Sequence, residues 1–191
     1  KENKTDISAQ INLLLQSIDK NTDFYYHALV FSTYAYAQRR EWDKAVVYAK
    51  DAYAIEPQRT TAFWYGISLL ELDKPKEALE VLKPYYADAF TSSSSDADTA
   101  YAVSYARALL GSQRNTEALA VFEKIMNNNS HGMHRDNYAV ALLQSKQSEQ
   151  VSNIIGSLQT PLAPYINALA SVALKQWIAA ESLFVAYIRS R

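Results

Sequence analysis

The sequence contains no cysteine, only four glycines and five prolines, and no long apolar run. The absence of cysteine excludes disulfides, thiolate metal sites and a cysteine nucleophile. Few glycines and prolines suit a helical chain and argue against a protein built from strands and turns. Because no stretch of about 18 apolar residues occurs, no segment is predicted to span a bilayer.

The sequence also lacks an excess of either charge, since 19 basic and 20 acidic side chains leave a net charge of −1. Neither the basic surface of a nucleic-acid-binding protein nor a polybasic membrane tether is therefore predicted. Hydrophobic residues make up 49% of the 191 positions. This fraction is enough to form a substantial core, and it argues against intrinsic disorder.

A repeated pattern runs along most of the chain. Five segments each combine two helices of apolar period, with a small residue on the first and another twelve residues later on the second. The second-helix positions, spaced by 33, 40, 33 and 29 residues, are Ala45, Ala78, Ala118, Val151 and Ala180. The first-helix positions are Thr33, Gly66, Ala106, Ala139 and Ala168. No strand is predicted, and helices are predicted over 7–19, 23–39, 42–55, 59–72, 75–87, 97–111, 115–127, 133–145, 148–158, 162–174 and 177–189.

The start of the second helix in several segments resembles the tetratricopeptide repeat family, whose period is about 34 residues. Trp42-Asp43-Lys44-Ala45 carries this resemblance, and Pro57 stands where that family closes its repeat. Similar runs are Lys76-Glu77-Ala78-Leu79, Thr116-Glu117-Ala118-Leu119 and Trp177-Ile178-Ala179-Ala180. The resemblance implies an all-α protein, an α-α superhelix (a tetratricopeptide-like solenoid) of about five hairpins. Stacked hairpins bury the apolar faces that one hairpin cannot bury alone.

The predicted organisation has two parts. Residues 1–22 form a leading helix or N-terminal cap, and residues 23–191 form tandem repeats. The repeats cover approximately 23–57, 58–90, 97–130, 131–160 and 161–191. The helix over 7–19 could either cap the array or occupy its groove. Ser95 or Asp96 is predicted to cap the helix over 97–111, which follows the serine-rich connector at 92–95.

No catalytic constellation stands out in the sequence. His131 and His134 form the one paired-histidine motif, with Asp136 nearby, and two histidines with one carboxylate are a weak metal motif. Their position after an asparagine-rich stretch favours solvent-exposed connector residues. Glycine-rich phosphate-binding loops do not occur. The sequence therefore predicts a protein that is not an enzyme and has no cofactor or metal, with a hydrolase or metal enzyme as a minor alternative.

The resemblance implies a partner-binding groove lined by the first helices of successive hairpins. Mapped onto this sequence, the groove is mostly apolar, with Arg107 as a central cation and with Tyr34 and Phe63 as the expected anchors. Such a surface suits an amphipathic helix or an extended segment of a partner protein. The groove residues are His27, Val30, Tyr34, Gln38, Thr60, Phe63, Ile67, Leu70, Val103, Arg107, Leu110, Asp136, Val140 and Leu143.

The function that the resemblance implies is a protein-binding scaffold or adaptor. Residues 25–83 resemble type III secretion chaperones, and residues 100–155 resemble proteins of pilus assembly, so a bacterial secretion or pilus system is the expected setting. The alternative is a regulatory or sensor repeat domain of a larger protein, with its DNA-binding or membrane module elsewhere. The expected location is the bacterial cytoplasm or periplasm, with a possible anchor in a segment before Lys1.

Overall fold

The computed structural model describes residues 7–87, 95–128, 134–154 and 160–190, and the regular structure within these ranges is helical throughout. This confirms the predicted all-α class. The helices are α1 (Ile7–Ser17), α2 (Asp23–Gln38), α3 (Trp42–Ile55), α4 (Arg59–Glu71), α5 (Pro75–Leu82), α6 (Asp96–Gly111), α7 (Asn115–Asn128), α8 (Arg135–Gln144), α9 (Ser148–Ile154), α10 (Ala163–Ala173) and α11 (Trp177–Arg189).

Most predicted helices lie within two residues of the observed ones, with one clear correction. The helix predicted over 75–87 ends at Leu82 and continues as a 3₁₀ turn over Lys83–Tyr85. Pro84 has no amide hydrogen and cannot extend the α-helical hydrogen bonds, which explains the early end. The predicted cap at Ser95 is confirmed, because its hydroxyl accepts a hydrogen bond from the Asp98 amide at 3.2 Å. Residues 155–159 of the helix predicted over 148–158 lie outside the described ranges.

All five predicted hairpins contain the same turn between their first and second helices. In each, one residue adopts a left-handed backbone with φ between 56° and 64°, although none of the five is glycine. The amide of the next residue donates a hydrogen bond back into the first helix, as Glu41 does to the Tyr36 carbonyl at 3.0 Å. This pattern is the Schellman motif, which satisfies the last carbonyls of a helix. The left-handed residues are Arg40, Asp73, Gln113, Lys146 and Lys175.

These turns repeat with the spacing predicted from the sequence. Each left-handed residue lies five positions before a second-helix landmark, as Arg40 precedes Ala45, and all five landmarks are buried. The five first-helix small positions are buried as well. The structure thus places the predicted small residues in the core, where they allow close approach of paired helices.

The sizes of facing core residues compensate each other across the two helices of a hairpin. In the second hairpin, a Cβ added to Gly66 would lie 2.6 Å from Leu82 Cγ, so α4 and α5 meet there without room for another atom. In the first hairpin, the larger Thr33 and the smaller Ala49 line the same cavity of about 10 Å³. The threonine that departs from the family pattern is therefore accommodated by a small residue across the hairpin.

The chain divides into two compact units at Tyr85 and Tyr86. The first contains α1–α5, and the second contains α6–α11. In each unit, successive helices pack on one another in chain order. Among the described helices, none is both long enough and apolar enough to cross a bilayer.

We expect glycine to stabilise a turn only at its left-handed residue. Arg40→Gly should raise the free energy of unfolding by about 0.5 kcal/mol, because glycine adopts positive φ without the cost that other residues incur. Arg39→Gly removes the same side chain at a φ of −92° and should lower stability by a similar amount. Urea unfolding followed by circular dichroism measures both changes. Equal effects of the two substitutions would contradict the assignment of strain to Arg40.

Candidate functional site

The predicted groove residues fall into two sets, one in each unit. In the first unit, α2 contacts α4, and these helices carry His27, Val30, Tyr34, Gln38, Thr60, Phe63, Ile67 and Leu70. In the second unit, α6 contacts α8, and these helices carry Val103, Arg107, Leu110, Asp136, Val140 and Leu143. Within each unit, the helices that carry the predicted groove residues therefore contact each other.

One face of α2 is an exposed aromatic surface, here called the α2 stripe: Phe24, His27, Phe31, Tyr34 and Gln38. The spacings of three and four residues place all five side chains along one side of the helix. All five are exposed, including 76% of Phe24, 58% of Phe31 and 48% of Tyr34. Phe24 and Phe31 are each more than half exposed, so their rings contribute little to packing in the described fold.

Three members of the α2 stripe were predicted from the sequence, whereas Phe24 and Phe31 were not. The groove positions of the tetratricopeptide repeat family do not correspond to either phenylalanine. Their spacing could have indicated them, because Phe24 and Phe31 alternate with His27 and Tyr34 along the helix. The two missed rings are the most exposed aromatic side chains of the first unit.

Charge is absent from both first helices along this surface. No Asp, Glu, Lys or Arg occurs in residues 24–38 of α2 or in residues 60–70 of α4. Arg39 and Arg40 follow the first of these segments, and Arg59 and Glu71 border the second. An uncharged surface with charges at its ends favours a partner whose contacting face is also uncharged.

Aromatic contacts connect the α2 stripe to α4. The rings of Tyr34 and Trp64 meet edge to face with centroids 5.6 Å apart, and Phe63 meets Trp64 at 5.5 Å. Such edge-to-face pairs add to the stability gained from ring burial. Phe63, Ile67 and Leu70 are half-buried, so this part of the surface is partly used in packing and partly open.

A polar cleft of about 870 Å³ adjoins the α2 stripe at the start of α2. Gln58 donates a hydrogen bond to the Tyr26 hydroxyl at 2.5 Å. Partial burial raises the pKa of Tyr26, and the nearby Glu56 carboxylate raises it further. His27 and Thr60, both predicted groove residues, line the cleft together with Val30. The apolar surface therefore ends in a polar region that contains both acidic and basic side chains.

The leading helix α1 lies against α2 and α3, away from the α2 stripe. Ile11 is buried in a cluster with Tyr36, Ala37 and Ala45, and none of the predicted groove residues belongs to this cluster. Ile7 and Leu15 pack against the same cluster. Of the two roles considered for residues 7–19, these contacts favour the cap.

The second unit offers less open surface at the predicted positions. Val103 is a correction, because it is buried with 7% exposed and cannot contact a partner in this structure. Its helix α6 is buried on several sides, including Tyr101, Ala102 and Tyr105, so no broad face remains open around Val103. Arg107, Leu110, Asp136, Val140 and Leu143 are half-buried.

The candidate metal ligands are only partly described. His131 lies outside the described residues, and His134 precedes α8 in a half-buried position. Burial lowers the pKa of His134, and the Asp96 carboxylate opposes this shift. One carboxylate oxygen of Asp136 is buried and has no hydrogen-bond partner among the residues that the structure describes. Among the described residues, no group of three or more His, Asp or Glu side chains is placed to hold a metal ion.

The fold and this surface define an all-α protein built from successive helical hairpins, with an exposed aromatic face on its first unit. Comparisons with protein-family models, with curated proteins and with solved structures returned no match for this chain.

Proposed function

We propose that this chain is a non-catalytic protein-binding module of the tetratricopeptide-like class, and that a partner segment binds along the α2 stripe. The observation that carries the proposal is the exposure of Phe24, Phe31 and Tyr34 on one uncharged helix face. Clustered aromatic side chains supply much of the binding energy in protein interfaces. Contiguous exposed apolar surface in a folded protein commonly marks an interaction site.

The repeated turns support the membership of this class. Five Schellman turns with the spacing of the sequence repeat join helices whose buried landmark residues occupy equivalent positions. A tandem array of such hairpins is the architecture of a solenoid, in which each repeat contacts its neighbours. The α-α superhelix and service in a bacterial secretion or pilus assembly system stay predictions of the sequence resemblance.

The chemistry of the surface favours a helical partner segment over an extended one. In the α2 stripe, only His27, Tyr34 and Gln38 can form side-chain hydrogen bonds, so the stripe cannot pair every amide and carbonyl of an extended segment. Backbone groups that lose water without gaining a partner cost free energy, about 1–3 kcal/mol for each group. A helix pairs its own backbone groups and brings a row of side chains to the surface. We therefore propose an amphipathic helix with an uncharged face.

Crosslinking from the α2 stripe tests this function. A photoreactive phenylalanine analogue at position 31 should crosslink one protein in native lysate, and the same analogue at Phe24 should crosslink the same segment. The analogue at Val47, an exposed apolar residue of α3, serves as the control. Capture of the same proteins from Val47 as from position 31 would contradict a role specific to the α2 stripe.

Affinity measurements with the crosslinked segment give the quantitative test. Phe31→Ala and Tyr34→Ala should each weaken binding about tenfold or more, as expected for interface anchors. Val47→Ala should leave the affinity unchanged, because Val47 lies outside the surface. A proline in the middle of the partner segment should abolish binding if that segment is helical. Unchanged affinity of both aromatic variants would overturn the proposed site.

A further inference from the structure

A second apolar surface lies on α11 in the second unit, and we call it the α11 stripe. Its members are separated by one, three or four residues, which places them on one side of the helix. Ile178 is 83% exposed and Ile188 is 70% exposed, and the other members are exposed as well. The α11 stripe consists of Trp177, Ile178, Glu181, Val185, Ile188 and Arg189.

Comparison with α7 shows that α11 also carries a stacking surface, which lies outside the α11 stripe on the neighbouring side of the helix. Four and seven residues after its landmark Ala118, α7 carries Phe122 and Ile125, which are buried. The structure packs α8 onto α7, with the Phe122 and Tyr138 rings 6.5 Å apart. The equivalent residues of α11 are Phe184 and Tyr187, which are only half-buried. In α11, the stacking surface that a following helix covers in α7 remains partly open among the described residues.

The charges of the α11 stripe make it complementary to a copy of itself. Glu181 lies in the first half of α11, and Arg189 is its last residue. In the described part of the chain, neither side chain takes part in an ion pair. A second α11 packed antiparallel brings Ile178 opposite Ile188 and places each Glu181 near the other Arg189. A parallel copy would place like charges together, which is unfavourable.

We infer that two copies of this chain associate through their α11 stripes, antiparallel about a two-fold axis. The contact is isologous, so each residue pair occurs twice and the association stops at a dimer. Among the described residues of the second unit, it removes the most exposed apolar side chains from water. Because a single helix pair is small for a protein interface, the dissociation constant is on the order of 10 µM.

Sedimentation equilibrium of the 191-residue chain tests the dimer up to about 200 µM, well above the expected dissociation constant. We expect a monomer–dimer equilibrium that Ile178→Glu combined with Ile188→Glu shifts to monomer. Val47→Glu makes a comparable apolar-to-acidic change at an exposed residue of the first unit outside the α2 stripe and should leave the equilibrium unchanged. A monomer throughout this range, as expected if something else covers α11, would overturn the inference.

A charge exchange tests the antiparallel arrangement without altering any apolar residue. Glu181→Arg and Arg189→Glu should each weaken the dimer about tenfold at low salt, because each puts like charges together. The double variant restores opposite charges and should recover the original dissociation constant within about twofold. Circular dichroism confirms that the variants keep their helices. A double variant that associates no better than the single variants would contradict the antiparallel contact.

Discussion

Replacing Gly66 with threonine should destabilise the first unit by about 2 kcal/mol or more, as expected when atoms are forced into a packed core. The new Cβ would lie 2.6 Å from Leu82 Cγ and 2.7 Å from Leu82 Cδ2. Leu82 has no solvent exposure, so its side chain cannot move aside into water. Urea unfolding monitored by hydrogen exchange of α4 and α5 amides measures this loss.

A compensating substitution separates crowding from other effects of the threonine. Leu82→Ala alone should also destabilise the unit, by about 2–5 kcal/mol, because it leaves a cavity. The double variant Gly66→Thr with Leu82→Ala recreates the pair formed by Thr33 and Ala49 in the first hairpin. Its loss should be smaller than the sum of the single losses by about 0.5–3 kcal/mol. Strict additivity would show that the two residues do not compete for the same space.

Phe122→Ala should be the most damaging single truncation in the second unit, with a loss of about 3–5 kcal/mol. Phe122 is fully buried on α7 and faces the Tyr138 ring of α8. Removal of its ring leaves a cavity between two stacked helices and takes away their shared contacts. The free energy of unfolding from urea denaturation measures the effect.

The control for this truncation is Phe24→Ala, which deletes the same ring from an exposed position. Because Phe24 is 76% exposed, its loss should change stability by less than about 0.5 kcal/mol. Comparable losses at both positions would contradict the assignment of Phe122 to the core and of Phe24 to an open surface.

The helices and turns were predictable because their determinants are local in the sequence. The helical periodicity of the apolar residues indicates the helices. The spacing of Ala45, Ala78 and Ala118 indicates the hairpins. The end of α5 was missed although Pro84 was visible, since the apolar pattern continued past it. Here the missing amide hydrogen of one residue outweighed the periodicity of the whole segment.

The candidate site was predictable only in part, because periodicity does not show which helix face its neighbours cover. His27, Tyr34 and Gln38 were placed on an open face, and all three are exposed. Val103 was assigned by the same mapping but is buried, because α6 packs on several sides. Phe24 and Phe31 were not assigned to the open face. Apolar residues of this size are usually buried, whereas both are exposed in the structure. Both errors depend on tertiary packing around a helix.

The left-handed turns have a consequence for how this sequence can change over time. Their geometry depends on main-chain hydrogen bonds, so the charges at Arg40, Asp73, Gln113, Lys146 and Lys175 can change with little effect on the hairpins, provided that the new residue is not β-branched. All five are charged or amide-bearing residues at hairpin tips. Mutation could therefore alter the electrostatic character of these tips repeatedly while the underlying scaffold is inherited intact.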